Sequence, residues 1–223
     1  MSGVSAAAQP HGLLWLDLET TGLDAQSDRI LEIACRLTSF AFPYEDVLGP
    51  ETGAPIAGSF VVRHYWGDPR VEESVFALKA WMDARVLEMH TASGLLEEVT
   101  AAALDPEVPG EAEIGEVLTE LAAGWPEDPA QRVVLAGSSV HFDLQFLRRK
   151  YPKFAARLSY RVFDVSAIAM FCRSLGMPRA DVQQEPAHRA AEDLAYALAQ
   201  ARRCEAWLRQ RGQPNAPDVK GGT

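Results

Sequence analysis

Runs of hydrophobic residues divide the chain into candidate strands and helices. Three apolar segments, at residues 12–18, 28–40 and 57–65, predict three consecutive strands. Residues 43–55 are rich in proline and glycine and indicate a long turn between the second strand and the third. Since no helical segment separates these strands, we expect them to form an antiparallel meander.

The rest of the chain alternates helices with short strands. Apolar residues recur at helical spacing in residues 73–90, 93–104 and 112–125, and Ser93 is the expected N-cap of the second of these helices. This order predicts an α/β fold with one mixed five-stranded sheet flanked by helices, and candidate sites at the carboxyl ends of its strands. The remaining predicted elements are a strand at 132–137, a helix at 140–151, a strand at 160–168 that leads into a helix at 166–176, and a long helix at 188–210.

Two carboxylates follow directly on the first apolar run. Side chains alternate along a strand, so Asp17 and Glu19 should project together from its C-terminal end. Two like charges at one place repel each other unless a proton or a cation lies between them. A hard divalent cation such as Mg²⁺ prefers oxygen ligands, so this pair is a candidate metal site. A solvated strand end that carries two acids is the alternative interpretation of this stretch alone.

Length and composition are those of a soluble globular protein, with room for one α/β domain with a full core or two small ones. The chain has 223 residues, of which 48% are hydrophobic and 23% charged. No run of about 18 apolar residues predicts a membrane span, and the N-terminus does not resemble a secretory signal. We expect residues 1–11 and 211–223 to be disordered, which leaves a folded domain at 12–210.

The three cysteines are far apart and contain no CxxC pair. Their spacing argues against a structural zinc site. Isolated cysteines are typical of a reducing compartment, so a cytoplasmic protein is expected.

The acidity of the chain is confined to one region. The net charge is −10, but eleven of the 31 acids lie between Val86 and Gln131, where there is no lysine or arginine. The rest of the chain has 20 acids against 21 bases. Residues 147–161 carry six basic residues and no acid, so a short polyanion could bind there, whereas a long duplex would find few other contacts.

Three later segments add further candidate groups. Asp143 lies one turn into the helix at 140–151, and His188 precedes Asp193 by five residues at the start of the last helix. Asp164 ends the strand at 160–168. Each has a structural interpretation when taken alone, such as a helix cap or a surface residue, and for Asp164 we expect a structural role with hydrogen bonds to the backbone.

Together these residues resemble a known pattern. Asp-x-Glu on a first strand, Asp in F-D-x-x-F-L, and His-x-x-x-x-Asp near the C-terminus are the motifs of the DEDDh 3′→5′ exonucleases. The resemblance implies a ribonuclease H-like fold and an exonuclease domain at 12–210. It also implies two divalent cations, Mg²⁺ or Mn²⁺, held by four carboxylates, with a histidine as general base. The matching positions are Asp17, Glu19, Asp143 and Asp193 for the metals and His188 for the base.

Within this superfamily the chain most resembles the oligoribonucleases. The segments DLETTGLD at 17–24, HTASGL at 90–95 and YRVFDVSAI at 160–168 carry that resemblance, which spans roughly residues 12–208. It implies 3′→5′ cleavage of short single-stranded oligonucleotides to nucleoside 5′-monophosphates, RNA more than DNA, by a homodimer. The implied substrate contacts are Leu18 and His90 near the terminal bases, Ser139, Arg161 and Ser166 at a 5′ phosphate, and Tyr160 from the second subunit.

The sequence departs from the oligoribonuclease pattern in two places. Residues 41–75 form a longer segment than the family has, and Arg85 stands where the family has a base-stacking tryptophan. Trp81 lies one helical turn earlier. These departures concern substrate preference more than chemistry.

Two other functions are compatible with the same motifs. One is a DEDDh exonuclease that acts on DNA 3′ ends in proofreading or repair, and cleavage rates on a dinucleotide and a 20-mer would distinguish it. The other is an inactive nucleotide-binding module. All four acids and the histidine are present, which argues against the inactive module.

Overall fold

The computed structural model describes residues 10–64, 79–179 and 187–211, which form one mixed sheet flanked by helices. The expected disordered ends, 1–11 and 211–223, lie almost entirely outside the described residues. The strands are β1 Leu13–Thr20, β2 Ile30–Thr38, β3 Ala57–Val61, β4 Val134–Gly137 and β5 Val162–Asp164. The helices are α1 Ala84–Ala92, α2 Leu95–Ala102, α3 Glu111–Ala123, α4 His141–Lys150, α5 Pro152–Ala155, α6 Val165–Ser174 and α7 Ala190–Arg211.

The first strand occupies the centre of the sheet, whose order is β3-β2-β1-β4-β5. The first three strands pair antiparallel, and β4 and β5 join parallel to β1, so the predicted meander and mixed sheet are confirmed. Gly137 ends β4, where a Cβ would lie 2.7 Å from the carbonyl oxygen of Leu16. A side chain there would push β4 away from the end of β1, so glycine allows the close approach.

The two faces of β1 have different partners. Leu14 and Leu16 pack in the core beneath α3 and α4. Leu13 and Trp15 face the opposite side, where the apolar stripe of α7 covers them. Because side chains alternate, Asp17 and Glu19 continue the row of Leu13 and Trp15 toward the start of α7. The hydrophobic pattern of one strand therefore decides which helix meets the two acids.

The structure corrects two predictions about the helices. The helix expected over residues 73–90 is interrupted before α1, because the Asp83 side chain caps α1 by accepting the amides of Arg85 and Val86, both at 2.9 Å. Residues 65–78 lie outside the described part of the chain. Ser93 ends α1 instead of starting α2, whose N-cap is Gly94 with φ of 78°. None of the helices in the described ranges combines the length and the hydropathy that a membrane crossing requires.

Candidate active site

Three carboxylates meet at the end of β1. Glu19 is buried, Asp17 is half-buried, and both lie on the face that α7 covers. Asp143, on the first turn of α4, is also buried and accepts a hydrogen bond of 3.1 Å from the amide of Leu18. The backbone between the two β1 acids is therefore tied directly to the third acid.

The start of α7 brings a fourth acid and the histidine to the same place. The Asp193 carboxylate accepts the amides of Ala187 at 2.9 Å and His188 at 3.0 Å. His188 has φ of 55°, a left-handed conformation that costs a non-glycine residue about 1–3 kcal/mol and that its surroundings must hold in place. Glu19, His188 and Asp193 each place one potential ligand atom within 4.8 Å of the others.

Burial raises the pKa values of Asp17, Glu19 and Asp143. Burial and the neighbouring carboxylates of Asp143 and Glu19 raise the pKa of Asp17 to about 9. Burial, followed by the charges of Asp193 and Glu32, raises the pKa of Glu19 to about 8. Burial raises the pKa of Asp143 to about 7, against the lowering effect of its backbone hydrogen bonds. The cluster is short of positive charge, so it holds protons near neutral pH unless a cation is bound.

The donor set fits a divalent cation. Four carboxylates from three elements supply hard oxygen ligands, which Mg²⁺ and Mn²⁺ prefer. The residues that could hold a metal are those predicted from the sequence, Asp17, Glu19, Asp143 and Asp193.

His90, a predicted substrate contact, lies directly beneath the end of β1. Its ring is fully buried, and Nε2 lies 2.9 Å from the carbonyl oxygen of Thr20, to which it must donate. Burial lowers the pKa of His90, which favours the neutral ring. Among the described residues, His90 Nδ1 has no hydrogen-bond partner, and it lies 3.8 Å from Glu19 Oε2. His90 thereby supports the end of β1, and its contact with a terminal base stays a prediction.

Sequence comparison assigns the family. An oligoribonuclease of Photorhabdus laumondii is 32% identical over 192 residues, which cover 85% of this chain and 91% of that protein. An oligoribonuclease of Mycobacterium bovis is 33% identical over 193 residues, which cover 85% of this chain and 78% of that protein. The chain belongs to the oligoribonuclease family.

Structure comparison agrees on the fold. The E. coli exonuclease I–single-stranded DNA complex in its zinc-bound form superposes with a TM-score of 0.58 at 16% identity, covering 91% of this chain and 42% of that chain. At this identity the likeness concerns the fold, which is ribonuclease H-like as predicted. No family model matches the chain.

Two serines predicted to contact a phosphate lie together in this oligoribonuclease-family chain. The hydroxyl of Ser139 donates to that of Ser166 at 3.2 Å. Both are organised by Asp164, whose Oδ1 accepts the amides of Ser139, Ser166 and Ala167 at 3.3, 2.9 and 3.2 Å. These bonds give Asp164 the expected structural role, as the N-cap of α6.

The other predicted substrate contacts lie on the surface. Tyr160 is 73% exposed, and the Arg161 guanidinium stacks 4.5 Å from the centre of its ring. Within the described ranges, no hydrogen bond or ion pair joins Arg161 to Ser139 or Ser166. Leu18 is half-buried between the two acids of β1. Trp81 is 43% exposed and has the Arg29 guanidinium 5.0 Å from its ring centre.

Two charged residues beside the site were not predicted. Glu32 on β2 is 3% exposed and pairs in register with Glu19. Arg189, directly after His188, forms ion pairs with Glu32 and with Glu98 of α2. The sequence offered one signal for Glu32: it is an acid within the apolar run of β2.

The raised pKa values predict how the stability of the metal-free protein depends on pH. Unfolded carboxyl groups lose their protons near pH 4, whereas folded Asp17 and Glu19 keep theirs to about pH 9 and 8. Between these limits the folded state binds more protons, so the unfolding free energy should fall as pH rises. The melting temperature in a chelator should therefore decrease from pH 5 to 9.

The double variant Asp17→Asn, Glu19→Gln should flatten this dependence, because its groups cannot ionise. Asp46→Asn is the matched control: Arg36 lowers the pKa of Asp46, so this acid titrates below about pH 4 and its loss should leave the slope from pH 5 to 9 unchanged. A melting temperature that rises from pH 5 to 9, or an unchanged slope in the double variant, would contradict the assignment.

Proposed function

We propose that this chain is a metal-dependent 3′→5′ exonuclease that degrades short oligoribonucleotides to nucleoside 5′-monophosphates. The observation that carries the proposal is the convergence of Glu19, His188 and Asp193, each with a ligand atom within 4.8 Å of the others, in a member of the oligoribonuclease family. The relatives named oligoribonuclease support RNA as the substrate, over the DNA of the structural neighbour.

The four carboxylates would hold two divalent cations, Mg²⁺ or Mn²⁺. The raised pKa values of Asp17, Glu19 and Asp143 support this assignment: burial raises all three, neighbouring carboxylates add to it for Asp17 and Glu19, and a bound cation would stabilise the charged forms. Bound cations supply positive charge for the phosphate and lower the pKa of a coordinated water.

His188 is proposed to take the proton of the attacking water. Its side chain shares the cluster with Glu19 and Asp193, and histidine exchanges protons near neutral pH. The hydrogen bond from its amide to Asp193 fixes the backbone that carries the ring. Attack on the last phosphodiester then releases a nucleoside 5′-monophosphate and leaves a 3′-hydroxyl on the shortened chain.

The far end of a short substrate is proposed to meet Ser139, Ser166 and Arg161. The paired hydroxyls and the exposed guanidinium are donors, and arginine can engage a phosphate with two hydrogen bonds. Leu18 would lie near the terminal base.

A homodimer is proposed, with Tyr160 reaching toward the site of a second copy. Exposed apolar side chains on β5 and α6 support this surface as the contact, among them Val162, Met170 and Phe171, at 39%, 57% and 58% exposure. The described cysteines are all free, which supports a reducing, cytoplasmic location.

Timed digestion of 5′-labelled RNA and DNA of two to twenty nucleotides tests the proposed substrate. Cleavage should be fastest on RNA dinucleotides. A 5′ phosphate on the dinucleotide should raise kcat/KM by about 10- to 150-fold, the value of one charge-assisted hydrogen bond. Arg161→Ala should remove most of that gain and leave cleavage of a 10-mer nearly unchanged.

Arg148→Ala is the matched control, because Arg148 is an exposed arginine of the same basic segment. If Arg161 belongs only to a general basic surface, both substitutions would weaken long substrates most. A wild-type protein that prefers the 10-mer, or prefers DNA, would favour the general DEDDh exonuclease.

A further inference from the structure

A buried acid beside the carboxylate cluster joins three elements of the fold. The side chain of Glu32 lies under the start of α7, where its Oε2 accepts the amide of Ala190 at 2.9 Å. The Arg189 guanidinium donates to both oxygens of Glu32, from Nε at 3.2 Å and from Nη2 at 3.1 Å. It also donates to Glu98 of α2, at 2.9 and 2.7 Å. Arg189 therefore connects α7 to β2 and α2.

The hydrogen bonds to Glu32 and Asp193 involve four consecutive residues, 187–190, at the start of α7. Glu32 holds Arg189 and Ala190, and Asp193 holds Ala187 and His188. His188, in its left-handed conformation, lies between the two anchors. Glu32 stands opposite Glu19 in the β1–β2 register, so one anchor is fixed to the strand pair that carries the cluster.

We infer that Arg189 is a positioning residue, which fixes the start of α7 on β2 so that His188 and Asp193 face Glu19. The inference rests on the proposed function, because it assigns Arg189 to the geometry of that site. The planar guanidinium of Arg189 engages both oxygens of Glu32 from two nitrogens in a fixed orientation, whereas a lysine has one nitrogen on a flexible stem and does not fix that orientation. Loss of orientation, and not loss of charge alone, should therefore impair the site.

The experiment compares Arg189→Lys with Arg36→Lys. Arg36 lies on the same strand as Glu32 and pairs with both oxygens of Asp46 at 2.6 Å, opposite Trp15 and outside the cluster. Each substitution replaces a guanidinium that makes two hydrogen bonds to one carboxylate by an ammonium group, and each keeps the positive charge. Arg189→Lys should lower kcat about 10- to 100-fold and raise the Mn²⁺ concentration for half-maximal rate, with KM for a dinucleotide nearly unchanged. Arg36→Lys should lower only the melting temperature.

A readout without catalysis distinguishes failure of this inference from failure of the proposed function. The amides of Ala187 and His188 donate to Asp193, so their hydrogen exchange reports on the anchored segment. Exchange should be about tenfold faster in Arg189→Lys and unchanged in Arg36→Lys. The rise in melting temperature on adding Mn²⁺ should shrink in Arg189→Lys alone. These two results stand even if the wild-type protein cuts no oligonucleotide.

Glu98→Gln tests the other partner of Arg189. Glu98 is half-exposed, and this variant keeps both hydrogen bonds between Arg189 and Glu32. Its kcat should stay within about threefold of wild type. If Arg189→Lys does not fold, Glu32→Gln replaces it, since glutamine retains an acceptor for the Ala190 amide. Wild-type kcat, metal response and amide exchange in Arg189→Lys or its replacement would overturn the inference. An equal loss of kcat in Arg36→Lys would also overturn it.

Discussion

Asp17→Asn should lower turnover by about a thousandfold or more at saturating Mg²⁺, without loss of stability in the metal-free protein. The substitution removes a ligand charge from a cluster proposed to hold the cations. It also removes an acid whose pKa burial and its neighbours raise to about 9, so the folded protein loses a source of repulsion. Steady-state kinetics on a dinucleotide and thermal unfolding in a chelator measure the two effects.

Asp193→Asn should also abolish turnover, but with a different effect on stability. Both carboxylate oxygens of Asp193 accept backbone amides, and an asparagine side chain has only one acceptor oxygen. This variant should therefore lose about 1 kcal/mol of unfolding free energy. Asp24→Asn, in the exposed turn after β1, is the control and should keep full activity. Near-normal turnover in both cluster variants would contradict the site assignment.

The second large effect is expected for His188→Gly, which should lower turnover by about 10²- to 10⁴-fold, the usual contribution of a general base. Glycine is the informative replacement, because it adopts the φ of 55° at this position without the strain that alanine would bring. Metal-dependent stabilisation should persist, since four carboxylates remain. Single-turnover rates and melting temperatures with and without Mn²⁺ test this.

Added imidazole supplies the control for the His188 prediction. If the side chain acts as a base, imidazole should restore part of the rate in His188→Gly, and it should not affect Asp17→Asn. A variant that keeps the wild-type rate would make His188 a surface residue at a helix start. A variant that loses both the rate and the metal response, with no rescue, would make His188 a metal ligand instead of a base.

The parts of the fold set by side-chain alternation could be predicted from the sequence. In β1 the alternation of Leu13, Trp15, Asp17 and Glu19 with the intervening residues determines a common face, so the meeting of the two acids needed no structure. The strand order could not be read from periodicity, because pairing between distant strands depends on the whole sheet. The approach of Asp143 through the amide of Leu18 became visible only in three dimensions.

The errors share a physical origin. Ser93 and Gly94 are both good residues for a helix end, and only the backbone conformation decides which one caps α2. Glu32 is a charged residue that the fold buries almost completely, which periodicity cannot indicate. The family resemblance placed Arg161 and Tyr160 at the substrate; among the described residues no hydrogen bond or ion pair joins Arg161 to Ser139 or Ser166, so this placement stays a prediction.

Because β1 is the central strand of the sheet, the order in which the chain is synthesised determines when its faces are covered. Its neighbour β4 and its covering helix α7 come late in the chain, so the face of β1 that carries Leu13 and Trp15 stays exposed until α7 has been synthesised. Asp17 and Asp193 stand near opposite ends of the described chain. A nascent or truncated polypeptide that lacks α7 thus has no assembled site, and its uncovered Leu13 and Trp15 make it a substrate for chaperones or proteases before it can act on any nucleic acid.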